Sequence, residues 1–127
     1  MAEETPGITI VDVQQADDKK LNFTHSFRVD WKDPETDELN TGTFTCRRPT
    51  LLMISEIAII KARLNGGEQV GRDIDFMNEM RAFLQVVLTK TPDWWKPDDF
   101  FDAAPLRKVW DHVRSWQDSF RKRSMEE

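Results

Sequence analysis

Cys46 and His25 are the side chains whose types suit covalent chemistry, a thiol nucleophile and an imidazole base. A working pair needs an exposed thiolate, a base within hydrogen-bond reach and a third group that orients the base. Both residues fall on what reads as one β-hairpin, within a few residues of each other across it. Nothing in the sequence supplies the orienting group, and cysteine commonly serves as a small buried apolar residue. The chain is not expected to be an enzyme.

Metal and cofactor chemistry has equally thin support. The two histidines, His25 and His112, lie far apart and there is one cysteine, so no zinc-ligand spacing is present. Asp33, Glu35 and Asp37 alternate as calcium ligands do. The sixth position of that loop is Glu38 instead of glycine, however, and the twelfth is Phe44 instead of glutamate. Asp98, Asp99 and Asp102 cluster ahead of a helix, where acids ordinarily cap the first turn. Gly66-Gly67-Glu68-Gln69-Val70-Gly71 follows a helix and lacks the lysine and hydroxyl residue of a phosphate loop. No metal and no cofactor is expected.

What remains is apolar. Pro92-Asp93-Trp94-Trp95-Lys96-Pro97 and the following Phe100-Phe101 place paired aromatics in a proline-bracketed connector. Aromatic rings offer large contact area at small entropy cost and are used where surfaces meet. The rings either fold back to lid the core or leave one tryptophan outward as an anchor. Lidding the core is the reading slightly favoured, and the two are compatible, because neighbouring side chains on an extended chain cannot easily both point inward.

The elements that must position these residues follow from periodicity. Ile8 to Val13 alternates with β-branched residues and predicts a short strand. Phe23, His25, Phe27, Val29 and Trp31 occupy every second position, the period of a half-buried strand. Residues 32–42 are dense in turn formers and predict a long acidic loop, after which Thr43 to Arg47 resumes as a strand. Thr50 can cap a helix that runs to about Asn65 and stops at Gly66-Gly67. Met53, Ile54, Ile57, Ile60 and Leu64 share one of its faces, while Leu52 and Ile59 fall on another. That second stripe is buried within the domain or meets a partner.

Asp73 can cap a second helix reaching about Lys90, with Phe76, Met77, Met80, Phe83, Leu84, Val87 and Leu88 as its core face. Methionines at that spacing read as adaptable core filler. Pro105 suits the first turn of a last helix, where Leu106, Val109, Trp110, Val113, Trp116 and Phe120 make one continuous apolar stripe. The architecture expected is a single α+β domain over residues 8–123. It comprises a small antiparallel sheet of two or three strands and three amphipathic helices, with flexible ends at 1–7 and 124–127.

The totals narrow the function classes. The 127 residues suit one domain, and 39% apolar with 32% charged residues suits a folded, water-facing protein. The longest apolar run, Ile57 to Ile60, is far too short to span a bilayer, and no basic-then-apolar leader opens the chain. One cysteine suits a reducing cytoplasm. The net charge is −5, and its one basic run, Arg121-Lys122-Arg123, falls at a helix C-terminus, where cations oppose the dipole. Neither nucleic acid nor membrane is an expected partner.

Four short segments occur in an order that resembles the tail assembly chaperones of long-tailed bacteriophages. They are Phe44-Thr45-Cys46-Arg47-Arg48-Pro49, Leu64-Asn65-Gly66-Gly67, Pro92-Asp93-Trp94-Trp95 and Trp116-Gln117-Asp118-Ser119-Phe120-Arg121. The resemblance spans roughly residues 22–123. It implies a non-enzymatic protein of the host cytoplasm that binds the tape-measure protein, keeps its apolar helices soluble and helps recruit tail-tube subunits. It also implies the short of two forms related by a translational frameshift. A structural or adaptor protein retained in the phage particle is the alternative.

The family supplies no residue-level site, so the expected partner-binding residues come from the apolar pattern alone. They are Leu52, Ile59, Trp94, Trp95, Trp116 and Phe120, and self-association is a further use for the same surface.

Overall fold

Alternation decides the sheet. In the strand Thr24–Lys32, Phe27, Val29 and Trp31 are buried while Arg28 and Lys32 face solvent, the half-buried pattern that the sequence predicts. This strand, β2, is the second of four in an antiparallel sheet of order β1-β2-β3-β4. The others are β1 (Ile8–Val13), β3 (Leu39–Arg47) and β4 (Leu88–Lys90). The chain is described here from a computed structural model, over residues 7–13 and 23–126, with the side chains of 120–126 outside the described set. The expected flexible N-terminus therefore lies almost wholly outside the described residues.

Two sequence expectations about the sheet need correction. The first is the loop: β3 begins at Leu39, so the turn is Asp33 to Glu38 instead of the whole stretch 32–42. Asn40, Thr41 and Gly42 read as turn formers, yet they pair with Trp31, Asp30 and Val29. Gly42 has a packing reason to be there, because a Cβ at that position would lie 2.5 Å from the Pro92 ring. The second concerns Leu88–Lys90. It was expected as the end of a helix, but it leaves the helix and pairs with Thr45 and Cys46 as a fourth strand. Leu88 keeps its apolar role on either backbone, so helical periodicity cannot reveal the change.

The helices are α1 (Leu51–Leu64), α2 (Arg72–Val87) and α3 (Ala104–Glu126), with a short 3₁₀ turn at Pro97–Asp99. Thr50 caps α1 as its sequence predicts, its hydroxyl accepting from the Met53 N–H at 3.2 Å. Gly66 and Gly67 both take φ +73°, a left-handed conformation that ends a helix at little cost only for glycine. The cap of α2 is Gly71 and not Asp73. Asp73 and Asp75 instead sit in the first turn, where their charge favours the helix dipole. Asp102 caps α3 by accepting the Ala104 N–H at 2.7 Å, and Pro105 occupies the first turn.

The core lies between one face of the sheet and helices α2 and α3. Phe27, Val29, Phe44 and Cys46 meet Met80, Phe83, Leu84 and Val87 from α2, and Leu106, Val109 and Val113 from α3. Met77 packs against the same cluster, so both methionines are core filler. The opposite sheet face is mixed: Ser26 and Thr45 hydrogen-bond across strands at 3.0 Å, and Val11, Val13 and Leu39 lie exposed on it.

α1 is set apart from this arrangement. It lies along α2, and no residue in it is fully buried.

Candidate partner-binding surface and histidine cluster

α1 presents apolar side chains on two sides. Met53, Ile57, Ile60 and Leu64 are half-buried, and Met53 and Ile57 touch the core. At 100° per residue, Ile54, Ala58, Leu51, Ala62, Ile59 and Leu52 fall on the other side, within an arc of roughly 160°. All six are exposed, and the only polar residue in that arc is Ser55. Leu51 is 84% exposed, Leu52 70% and Ile59 53%. Ile54, expected on the inward face with Met53, is 51% exposed. It sits at the margin of the inward stripe.

A polar network holds α1 in this position. Lys61 Nζ reaches Asp75 at 2.9 Å and Glu79 at 3.2 Å. The hydrogen bond with Lys61 is the chief reason the Asp75 carboxyl lies below its ordinary range, and the bond with Asp75 the chief reason the Lys61 amine lies above its own. Asn65 donates to Asp75 at 2.9 Å and accepts from buried Asn78 at 2.7 Å. Asn78 in turn accepts from Arg81, whose other nitrogen pairs with Asp98 at 2.7 Å. The C-terminal end of α1 is thereby tied through α2 to the connector. A groove of about 440 Å³ opens beside α1, lined by Ile54, Ile57, Phe83, Arg114 and neighbours.

Trp94 and Trp95 do not divide between inside and outside, as an extended chain would require. Both are half-buried and both pack on the core. The reason is a turn: the Trp95 N–H donates to Pro92 O at 3.0 Å, and the Lys96 N–H to Trp94 O at 2.9 Å. That turn brings neighbouring side chains to the same side, with ring centroids 6.1 Å apart in an edge-to-face arrangement. Phe44 lies 5.1 Å from Trp95, and Trp31 and Phe100 complete the aromatic group. The connector aromatic that turns to solvent is Phe101, 84% exposed. Trp116 is also half-buried and stacks on His25 at 5.2 Å. Phe120 lies on α3, but its side chain falls outside the described residues.

Of the expected partner-binding residues, then, Leu52 and Ile59 form a common exposed surface, and the three tryptophans are engaged within the fold. Leu51 and Phe101 are exposed apolar residues that periodicity does not single out, and Ile54 is one that it assigns to the inward face.

The residues suited to covalent chemistry meet differently. Cys46 and His25 are direct cross-strand partners on β3 and β2. Cys46 is fully buried, and burial pushes its thiol up to about 12, with Asp12 adding to the rise. At neutral pH it is a protonated core residue, which leaves the pair without a thiolate.

His25 instead joins a group that the sequence does not reveal. Its Nε2 lies 3.0 Å from Asp12 Oδ1 and 3.4 Å from His112 Nε2, and His112 Nε2 lies 2.8 Å from the same oxygen. β1, β2 and α3 each contribute one member. The His112 imidazole titrates below the ordinary histidine value, because its burial outweighs the attraction of Asp12. The acidic turn, by contrast, satisfies itself: Asp33 accepts the Glu35 N–H at 2.9 Å and Asp37 pairs with Lys32. Asp102 is a cap, as expected of an acid ahead of a helix, whereas Asp98 pairs with Arg81 of α2.

No family model, curated protein or solved structure matches the chain. Among the described residues, no helix is long and apolar enough to cross a membrane.

Proposed function

We propose that this chain is a non-enzymatic assembly chaperone of phage tails, which holds the tape-measure protein through α1 and helps bring tail-tube subunits to it. One observation carries the reading: α1 is apolar on both sides, and the side turned away from α2 has no cover within the described chain. Burying a leucine or isoleucine side chain contributes roughly 1.5–3 kcal/mol. Leu51, Leu52, Ile54 and Ile59 together therefore offer a substantial gain to an apolar client helix. Recognition would use the helix-on-helix mode, with anchors spaced one turn or two apart.

The ordered segments at Phe44, Leu64, Pro92 and Trp116 support the same reading through their resemblance to tail assembly chaperones. They now have structural roles that suit a rigid holder. Pro92 to Trp95 seals the core, and Leu64 to Gly67 ends the gripping helix. The tryptophans serve the scaffold, and the grip belongs to α1.

Co-expression with a tape-measure protein tests the proposal. A chaperone raises the soluble fraction of that client and co-purifies with it. A client whose solubility is unchanged rejects the proposal.

A further inference from the structure

The structure assigns a second site: we propose that Asp12, His25 and His112 bind a divalent transition-metal ion such as zinc, joining the edge strand β1 to α3. Among the described residues, these three side chains form a group whose ligand atoms all lie within 4.8 Å of one another. Their separations are 3.4, 3.0 and 2.8 Å. For imidazole and carboxylate ligands at roughly 2.0–2.1 Å from a tetrahedral ion, neighbouring donor atoms stand about 3.3 Å apart. A point equidistant from these three atoms lies about 1.8 Å from each within their plane. An ion at bonding distance would therefore sit about 1 Å out of the plane, and a tetrahedral shell would take its fourth ligand from outside the group.

Chemistry favours a cation over hydrogen bonds alone. Without one, the two Nε2 atoms, 3.4 Å apart, crowd the single oxygen Asp12 Oδ1, each donating to it or one donating to the other. One cation satisfies both nitrogen lone pairs and the carboxylate together. Two imidazoles and one carboxylate suit zinc, cobalt, nickel and iron(II) better than magnesium or calcium, which prefer all-oxygen shells.

The rings are already held in place. His25 stacks on Trp116 at 5.2 Å and on Phe27 at 5.8 Å, and His112 packs against Phe27 at 4.7 Å. Little side-chain freedom is left for the ion to remove. The two histidine side chains are 16% and 24% exposed and Asp12 is 63% exposed, so an ion can enter from the Asp12 side. No member of the group belongs to α1, so this site stands or falls separately from the client-holding proposal.

The test is zinc titration of the EDTA-treated full chain by calorimetry, alongside Asp12→Asn and His112→Gln. Asp12→Asn changes an exposed side chain and keeps the fold, so it remains informative if His112→Gln disturbs packing. The expected result is one zinc per chain at micromolar affinity or tighter, weakened by at least about tenfold in Asp12→Asn. Zinc should also raise the Tm of the wild type and leave that of Asp12→Asn almost unmoved. Cobalt should give the visible bands of a four-coordinate ion with no thiolate charge-transfer band. No stoichiometric zinc uptake, equal uptake by Asp12→Asn, or a thiolate band implicating Cys46 overturns the assignment.

Discussion

Trp94 donates its indole N–H to the carbonyl oxygen of Thr41 at 2.9 Å, directly beside the glycine that makes room for it. This contact joins the connector to the third strand. It turns a tryptophan that looks like a surface anchor into part of the core wall. It also explains why Gly42 occurs inside a strand, where glycine is ordinarily unfavourable.

Gly42→Ala should therefore destabilise the fold by about 1–3 kcal/mol, the usual range for overpacking. The added methyl would meet Pro92 Cβ at 2.5 Å and Trp94 Nε1 at 3.3 Å, so the connector must move. Denaturant unfolding followed by tryptophan fluorescence measures the change. A stability equal to wild type means that the connector does not pack against β3.

Cys46 should resist thiol reagents at neutral pH in the native protein and react at full rate once unfolded. Its thiol lies at about 12 in the fold against 9.0 for the ordinary group. Because the folded value is raised, the resulting stability is complete below pH 9 and is lost as pH rises toward 12. Labelling with a chromogenic disulfide, with and without denaturant, checks the first statement, and unfolding midpoints between pH 8 and 11 check the second. Rapid native labelling would reopen the Cys46–His25 pair as a nucleophile.

Asn78→Ala should cost about 1–3 kcal/mol, because it strips a buried amide from between Asn65 and Arg81. The loss should concentrate where α1 ends. Hydrogen exchange at Asn65 to Gly67 is expected to rise well above any change in the sheet. A uniform rise throughout the protein would mean that the network does not specifically fasten α1.

Leu52→Glu with Ile59→Glu should leave stability within about 0.5 kcal/mol of wild type per site, since both residues are exposed. Glutamate is a good helix former, and a carboxylate at position 59 stands one turn before Arg63. Thermal unfolding settles this. A large destabilisation would show that these residues are already packed within the protein.

Much of this molecule was legible in its sequence where one physical rule dominates. Alternation placed Phe27, Val29 and Trp31 inward, and the 3.6-residue period placed Leu106, Val109 and Val113. Thr50 and Gly66 marked both ends of α1 through capping chemistry. The failures occur where tertiary contact overrides local preference. Gly42 belongs to a strand because Pro92 arrives from fifty residues away, and Leu88 leaves its helix to pair with Cys46. His25 and His112 meet only because α3 crosses the sheet beside β1 and β2, a juxtaposition no spacing rule contains. The outward stripe of α1 was partly legible through Leu52 and Ile59. Leu51 escaped and Ile54 was placed inward because apolar residues on two sides of one helix blur the boundary of each stripe.

The most direct test of the account is the amount of tape-measure protein kept in solution by wild type and by the Leu52→Glu, Ile59→Glu double variant at equal expression. Holding through α1 predicts that wild type solubilises the client and that the equally folded variant loses most of that effect. Equal solubilisation by both proteins would contradict the assignment of the grip to α1.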